Sequence, residues 1–174
     1  MLAMLAFAAD VRVRAVNPSE SSAQQLKAGY VYNFAKLVEW PASVAPNGPI
    51  IVGVVGDDDF ADVLGRVMVS KTPEDRTFVV KPVKIAELKT CGCRILFVAS
   101  VYSDWTADIV HLQNSASVLT IAEAPDFARR GGIVGLTLDG RRVRLVVNVD
   151  AAERASVSIS SRLLALATIV HTGR

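Results

Sequence analysis

The sequence predicts an α/β fold, namely a three-layer domain with a mostly parallel sheet of about six strands and helices on both faces. Two observations lead to this prediction. Continuous apolar runs recur along the chain, as in residues 50–55 and 93–100, and such runs are typical of strands that are buried on both faces. Segments with helical character separate them, and alternating strands and helices build parallel sheets.

The composition fits one packed domain. The chain has 174 residues, of which 51% are hydrophobic and 21% are charged, so it has enough apolar material for a core and does not have the composition of a disordered protein. The net charge at pH 7 is only +2, and the basic residues form no stripe. We therefore expect no nucleic-acid partner.

The first residues are interpreted as a targeting segment. Residues 1–7 are mostly apolar, and Ala6-Phe7-Ala8 fits the small-x-small pattern of a signal-peptidase site. We assign residues 1–22 to a signal-peptide remnant and a mobile lead-in, and residues 23–174 to a single α/β domain. Nothing else reaches the roughly 18 apolar residues that a membrane span requires, so no direct membrane span is predicted.

The first predicted helix covers residues 23–39, with Ser21 or Ser22 as its cap. Its apolar stripe consists of Leu26, Tyr30, Phe34, Leu37 and Val38. The following elements are predicted as strand 50–55, helix 59–68, strand 77–85, a short helix to residue 90, strand 93–100, a helix capped by Ser103 or Asp104, strand 117–123 and a short helix that Gly131 or Gly132 closes.

The C-terminal part is predicted as a β-hairpin followed by helix. Asp139-Gly140 is a typical hairpin turn, and residues 151–170 are predicted as one helix or a helix pair. The hairpin would place one antiparallel strand at an edge of the sheet. Since unpaired edges invite pairing, we expect this edge to permit homodimer formation.

Asp57 and Asp58 are the predicted ligand-binding residues. They follow the first buried strand, and ligands bind α/β sheets at the carboxyl ends of the strands. The same aspartates also suit the cap of the next helix. A phosphoacceptor domain would need a further aspartate after strand 93–100 and a later lysine, but Ala99 and Ser100 end that strand and no lysine follows Lys89.

Other catalytic patterns are missing from the sequence. No G-x-G-x-x-G follows the first strand, and no G-x-S-x-G is present. His111 and His171 are interpreted as surface or packing residues. We therefore predict no catalytic residue, no metal ligand and no cofactor, and expect that the protein is not an enzyme.

Cys91 and Cys93 are the predicted redox residues. Two residues apart in extended chain, their Cα atoms would be separated by about 6.6 Å, near the upper limit for a disulfide. A bridge would therefore require Gly92 to bend the chain. A reduced pair, a local bridge and a bridge to another chain are all compatible with the sequence.

Several motifs together resemble the YfiR/HmsC family. They are KAGYVYNFAKLVEWPA at residues 27–42, GDDDFADVL at residues 56–64, Cys93, Phe127 with Gly131 and Gly132, and the C-terminal stretch 131–170 with its SSRLL. They occur in the family's order from about residue 25 to residue 170. One departure is Gly53, where the family often has a cysteine, so a redox switch based on that cysteine is not expected here.

This resemblance implies a periplasmic regulatory protein. Members are similar to a non-enzymatic repressor that binds the periplasmic sensor domain of an inner-membrane diguanylate cyclase, or of a related sensor kinase. Repression lowers cyclic-di-GMP signalling and biofilm formation. The alternative is a periplasmic small-molecule-binding protein that uses the carboxyl ends of the strands.

The predicted partner-binding residues flank the first helix and the hairpin. They are Tyr32, Glu39, Trp40, Arg142 and Arg144. Tyrosine, tryptophan and arginine are enriched in interface hot spots, and Tyr32 is expected on the exposed side of its helix. The other interpretation is that Trp40 is a packed helix stop and the arginines are a solvated edge.

Overall fold

The computed structural model describes residues 18–43, 48–71, 77–140 and 142–173. The predicted signal-peptidase site lies outside them. The helices of the described part are α1 (Pro18–Leu37), α2 (Asp58–Lys71), α3 (Thr106–Ala116), α4 (Val149–Arg154) and α5 (Ser161–Leu164), with 3-10 helices at Ile85–Glu87 and Ser100–Trp105. The strands are β1 (Val38–Glu39), β2 (Ile50–Val55), β3 (Phe78–Pro82), β4 (Ile95–Val98), β5 (Leu119–Ala122), β6 (Val134–Asp139), β7 (Arg142–Asn148), β8 (Ser158–Ile159) and β9 (Thr168–Val170).

The strands form one large sheet and one small sheet. The large sheet has the order β3-β2-β4-β5-β6-β7-β9, and the small sheet pairs β1 with β8. Strands β2 to β6 run parallel, whereas β7 is antiparallel to β6. The predicted fold class is confirmed, because the sheet is mostly parallel, contains an antiparallel hairpin and carries helices on both faces.

The prediction of one helix or a helix pair over residues 151–170 was only partly right. Helices α4 and α5 are short, and strands β8 and β9 replace the rest of the expected helix. Strand β9 pairs parallel with β7, because the backbone groups of β7 gain more from pairing than an isolated helical turn would supply. Strand β9 covers β7 only from Val146 to Asn148, and within the described residues no strand pairs with the outer edge of β7 before Val146. Self-association through the hairpin edge stays a prediction.

Local boundaries also differ from the prediction. Helix α1 begins at Pro18, so Ser21 and Ser22 do not cap it. The boundary after residue 22 stays a prediction, although α1 runs across it. Helix α3 has no side-chain cap, because a 3-10 helix feeds directly into it. The segment before Gly131 is a series of turns, not a helix, and Gly131 has a φ of 98°.

The buried face of α1 is rotated relative to the predicted stripe. Val31 and Ala35 are fully buried, whereas Leu26 and Tyr30 are only half-buried. Helix α1 packs against both α2 and α5, so its contact surface is wider than one stripe. Tyr32 is consequently 6% exposed, and the expectation that it faces solvent was wrong. Its hydroxyl donates to the Lys71 carbonyl at 2.6 Å.

The core has two parts, one on each face of the large sheet. The part under α1 and α2 includes Phe34, Phe60 and Leu64. The part on the other face includes Leu96, Ile109 and Phe127. This division separates two surfaces of the molecule, and each surface carries a groove.

Candidate functional site

A groove of about 550 Å³ opens beside the end of α1. We call it the Trp40 groove. Its lining comes from β1, α4, β8 and α5, namely Glu39, Trp40, Pro41, Val149, Ala152, Glu153, Ser156, Val157, Ser158, Ile159 and Leu164. The groove combines aliphatic side chains, one indole and two carboxylates, which is a suitable surface for binding another protein.

Local pairing fixes the position of Trp40. The backbone of β1 pairs with β8, so that Glu39 lies opposite Ser158. The indole Nε1 of Trp40 donates to the Ser117 carbonyl at 2.9 Å. Trp40 is therefore a half-buried, anchored side chain that ends the helical region, while Glu39 beside it is exposed.

Asn148 organises the opposite wall of the Trp40 groove. Its Oδ1 accepts from the Ala151 N–H at 2.9 Å and caps α4, and its Nδ2 donates to the Ala128 carbonyl at 2.8 Å. Asn148 is fully buried, so it fixes the angle at which the chain leaves β7. This wall was not predicted, because residues 151–170 were assigned to one helix or a helix pair with no strand between, although an asparagine after a strand is a recognisable cap signal.

The structure separates the other predicted partner residues from Glu39 and Trp40. Tyr32 is buried, as described above. Arg142 and Arg144 are exposed on the hairpin, whose Gly140 turn lies beside Ser22 near the start of α1. Arg144 pairs with Asp139 at 3.3 Å in a solvent-exposed ion pair. Of the predicted partner residues, Glu39 and Trp40 therefore line the Trp40 groove and Tyr32 is buried. Arg142 and Arg144 lie elsewhere, on the hairpin.

Asp57 is committed to the backbone of α2. Its Oδ1 accepts from the Phe60 N–H at 2.9 Å, so it is the helix cap. Gly56, just before it, has a φ of 85°, and the Tyr102 ring lies against it so closely that a Cβ there would overlap the ring. A crevice of about 710 Å³ next to these residues includes Asp57 and Asp58. Ligand binding by these aspartates stays a prediction.

A buried ion pair lies near the same carboxyl edge of the sheet. Lys27 Nζ and Glu123 Oε1 are 2.9 Å apart, with side-chain exposures of 8% and 22%. The ammonium also lies 5.1 Å from the centre of the Phe60 ring. Lys27 is not among the predicted site residues, because a lysine in an amphipathic helix normally reaches solvent.

Cys91 and Cys93 form a local disulfide at the amino edge of β4. Gly92 adopts a φ of 65°, and this bend brings the two Cα atoms to 5.2 Å. A Cβ at Gly53 would lie 2.8 Å from Cys93 Sγ. A side chain at position 53 in β2, where the family resemblance predicts a cysteine, would therefore contact Cys93 Sγ directly.

Asp150 holds the segment that follows β9. His171 Nδ1 lies 2.7 Å from Asp150 Oδ1, and the backbone N–H groups of Thr172 and Gly173 donate to Oδ2 at 3.1 and 3.0 Å. The hydrogen bond with His171 lowers the pKa of Asp150 below its usual 3.8, although desolvation opposes this, and the bonds from Gly173 and Thr172 reinforce the lowering.

The described part of the chain has neither a metal-binding cluster nor a membrane-spanning helix. No cluster of three or more His, Cys, Asp or Glu side chains has an arrangement that could hold a metal ion. No helix of residues 18–43, 48–71, 77–140 and 142–173 has the length and apolar character needed to cross a membrane.

The family model described as YfiR/HmsC-like matches residues 24–168 of this chain. The chain belongs to the YfiR/HmsC-like family. The match includes most of α1, both cysteines, the hairpin and the Trp40 groove. No curated protein matches this chain.

Two solved structures share the fold. A conserved domain protein from Vibrio cholerae aligns with a TM-score of 0.51 and 16% identity over 88% of this chain and 60% of that protein. An ABC domain from Streptococcus pneumonia in complex with L-Trp aligns with a TM-score of 0.58 and 11% identity over 82% of this chain and 62% of that protein. The chain thus spans about three fifths of each structure. At these identities the likeness concerns the fold alone.

Proposed function

We propose that this chain is a non-enzymatic periplasmic regulator that represses an inner-membrane diguanylate cyclase, or a related sensor kinase, by binding its periplasmic sensor domain. Repression would lower cyclic-di-GMP signalling and biofilm formation. The observation that carries the proposal is the family match over residues 24–168.

The geometry of the Trp40 groove supports a binding role. Trp40 is held by its bond to Ser117 and by the β1–β8 pairing, so little side-chain entropy is lost when a partner packs on it. Ile159 and Leu164 extend the apolar surface, and Glu39 and Glu153 form a polar rim. A rigid aromatic anchor with a polar rim is typical of protein interfaces.

Repression requires that the groove binds one state of the sensor domain more tightly than the other. A binder with equal affinity for both states shifts no equilibrium. We therefore expect the groove to stabilise the inactive arrangement of the sensor domain, with the charge of Glu39 and Glu153 contributing to partner selection.

The test is co-expression with a diguanylate cyclase of the same organism that has a periplasmic sensor domain, in cells whose cyclic-di-GMP is measured. The unchanged chain should lower cyclic-di-GMP and co-purify with the cyclase. Glu39→Lys should abolish both effects, because it reverses a charge on the rim without removing a core contact. Asp62→Lys, also an exposed acid but on α2, is the matched control and should behave like the unchanged chain. Unchanged cyclic-di-GMP together with no co-purification would rule out the cyclase as partner.

A further inference from the structure

The segment after β4 presents large apolar side chains to solvent on the face opposite the Trp40 groove. Val101 is 73% exposed and Trp105 is 44% exposed. Trp105 lies where two depressions meet, one of about 860 Å³ along α3 and the crevice of about 710 Å³ at the carboxyl edge, and both also include Ile85. We call this combined surface the Trp105 groove. An exposed indole next to a concave apolar surface marks an interaction site.

The part along α3 is long enough to take a short helix. Asp108, Leu112 and Ser115 follow one another at helical spacing and form one wall. The 3-10 helix Ile85–Glu87, continued by the buried Leu88, forms the other wall. From Trp105 to Ala116 the groove extends for about 16 Å, which is three turns of a helix. Such a groove accepts an apolar helix face with anchors at i, i+3 or i+4, and i+7.

Charge distinguishes the two ends of the groove. The crevice at the Trp105 end is lined by four acidic residues, Asp57, Asp58, Asp59 and Glu87, and by one basic residue, Lys84. Among the ion pairs of the described residues, none involves these acids. The part along α3 is nearly neutral, with Lys89 and Asp108 in its lining. The whole chain is weakly positive, at +2, so the negative potential is local.

We propose that the Trp105 groove binds a helical segment of another protein that has an apolar face and a cluster of lysines or arginines at one end. The apolar face packs on Trp105, Ile85 and Leu112, and the basic end lies over the aspartates of the carboxyl edge. Complementary charge at one end fixes the direction of the bound helix. An anionic lipid surface would be repelled by the same carboxylates. The proposal does not depend on the regulatory function or on the Trp40 groove.

The probe for this proposal is a displayed library of helical peptides, selected against the full chain, with a randomised apolar face and randomised charges at both ends. Selected peptides should carry lysine or arginine at one end only. For a selected peptide, Trp105→Ala should weaken binding by at least about thirtyfold, as expected for a hot spot. Val69→Ala removes a side chain that is 81% exposed on α2 and, as control, should change the affinity by less than about twofold.

A charge variant tests the basic end separately. Asp59→Asn should weaken binding several-fold at low salt and have little effect at about 0.5 M salt, because salt screens the attraction. Asp62→Asn changes another exposed aspartate of α2, one that lies outside the groove, and it should leave the affinity unchanged. Circular dichroism of each variant establishes that it is folded.

Several results would overturn the proposal. These are a failure to select any peptide, selected peptides without a basic end, full binding by Trp105→Ala, or equal effects of Asp59→Asn and Asp62→Asn. A dimer in sedimentation that Trp105→Ala converts to monomer would identify a second copy as the occupant instead. Trp105-dependent binding to vesicles of phosphatidylserine and phosphatidylcholine would identify a membrane instead.

Discussion

Separating the buried pair Lys27–Glu123 should cost much more stability than separating an exposed pair. The two charges are 2.9 Å apart, and the lysine side chain is 8% exposed. At an effective dielectric constant of about 20, the attraction at this distance is about 6 kcal/mol. The desolvation of both groups offsets much of it, so the net contribution is smaller.

The two single variants should differ, because they leave different groups behind. Glu123→Gln leaves an ammonium buried in the core, and we expect the free energy of unfolding to fall by about 3 kcal/mol. The Phe60 ring at 5.1 Å limits the loss, since a cation over an aromatic face retains about 1 kcal/mol. Lys27→Met leaves a carboxylate that is 22% exposed and can recover some hydration, so about 1–2 kcal/mol should be lost.

The measurement is a double-mutant cycle by urea denaturation. The double variant Lys27→Met/Glu123→Gln should be more stable than the sum of the single effects predicts, with a coupling of about 2 kcal/mol. The melting temperature of Glu123→Gln should fall by roughly 6–12 °C for a domain of this size. The exposed pair Arg144–Asp139, with both side chains 71% exposed, is the control and should show a coupling below about 1 kcal/mol. Additive effects at Lys27 and Glu123 would refute the reasoning.

Three further predictions concern backbone, sulfur and pH. Gly56→Ala should destabilise the fold by about 2 kcal/mol or more in chemical denaturation, because φ is 85° and the Tyr102 ring occupies the space of the Cβ; an unchanged midpoint would contradict this. Gly53→Cys should form a disulfide with Cys93 and leave Cys91 as a free thiol, because a Cβ at position 53 lies 2.8 Å from Cys93 Sγ. Mass spectrometry of alkylated peptides identifies which cysteine is free. Asp150→Asn should lower the free energy of unfolding at pH 7. The folded-state pKa of Asp150 lies below 3.8, so its contribution is present above pH 3.8 and is lost as the pH falls through the folded-state pKa. The difference between the variant and the unchanged chain should disappear in acid, and a difference that persists there would exclude this cause.

Local patterns in the sequence determined the central strands and one helix cap. The apolar runs at β2 and β4 predicted strands buried on both faces, because no other regular element of that length needs apolar residues at every position. Asp57 was recognised as a possible cap because its oxygen reaches the N–H groups of the next turn. Asp139-Gly140 predicted the hairpin for a similar reason. These features depend on residues that are neighbours in sequence.

The tertiary structure decided which surfaces are free. Tyr32 was expected to be exposed because one stripe was thought to be the buried face of α1, but α2 and α5 both contact this helix. The residues of β9 were predicted as helix, because the leucines that precede them have helical spacing. The sequence does not indicate that these residues lie beside β7 and can pair with it. Lys27 and Glu123 are 96 residues apart, and no local pattern indicates that they meet.

The sequence by itself determined the family resemblance, the class of sheet and the local signals that begin and end its elements. The tertiary structure decided the two grooves, the buried ion pair and the pairing of β9 with the end of β7. Hydrogen bonds of caps and turns join residues a few positions apart, so a short stretch of sequence is enough to predict them. Packing depends on residues that are distant in sequence, and the Trp40 groove, in which Glu39 lies opposite Ser158, exists only when α1 and the C-terminal segment meet.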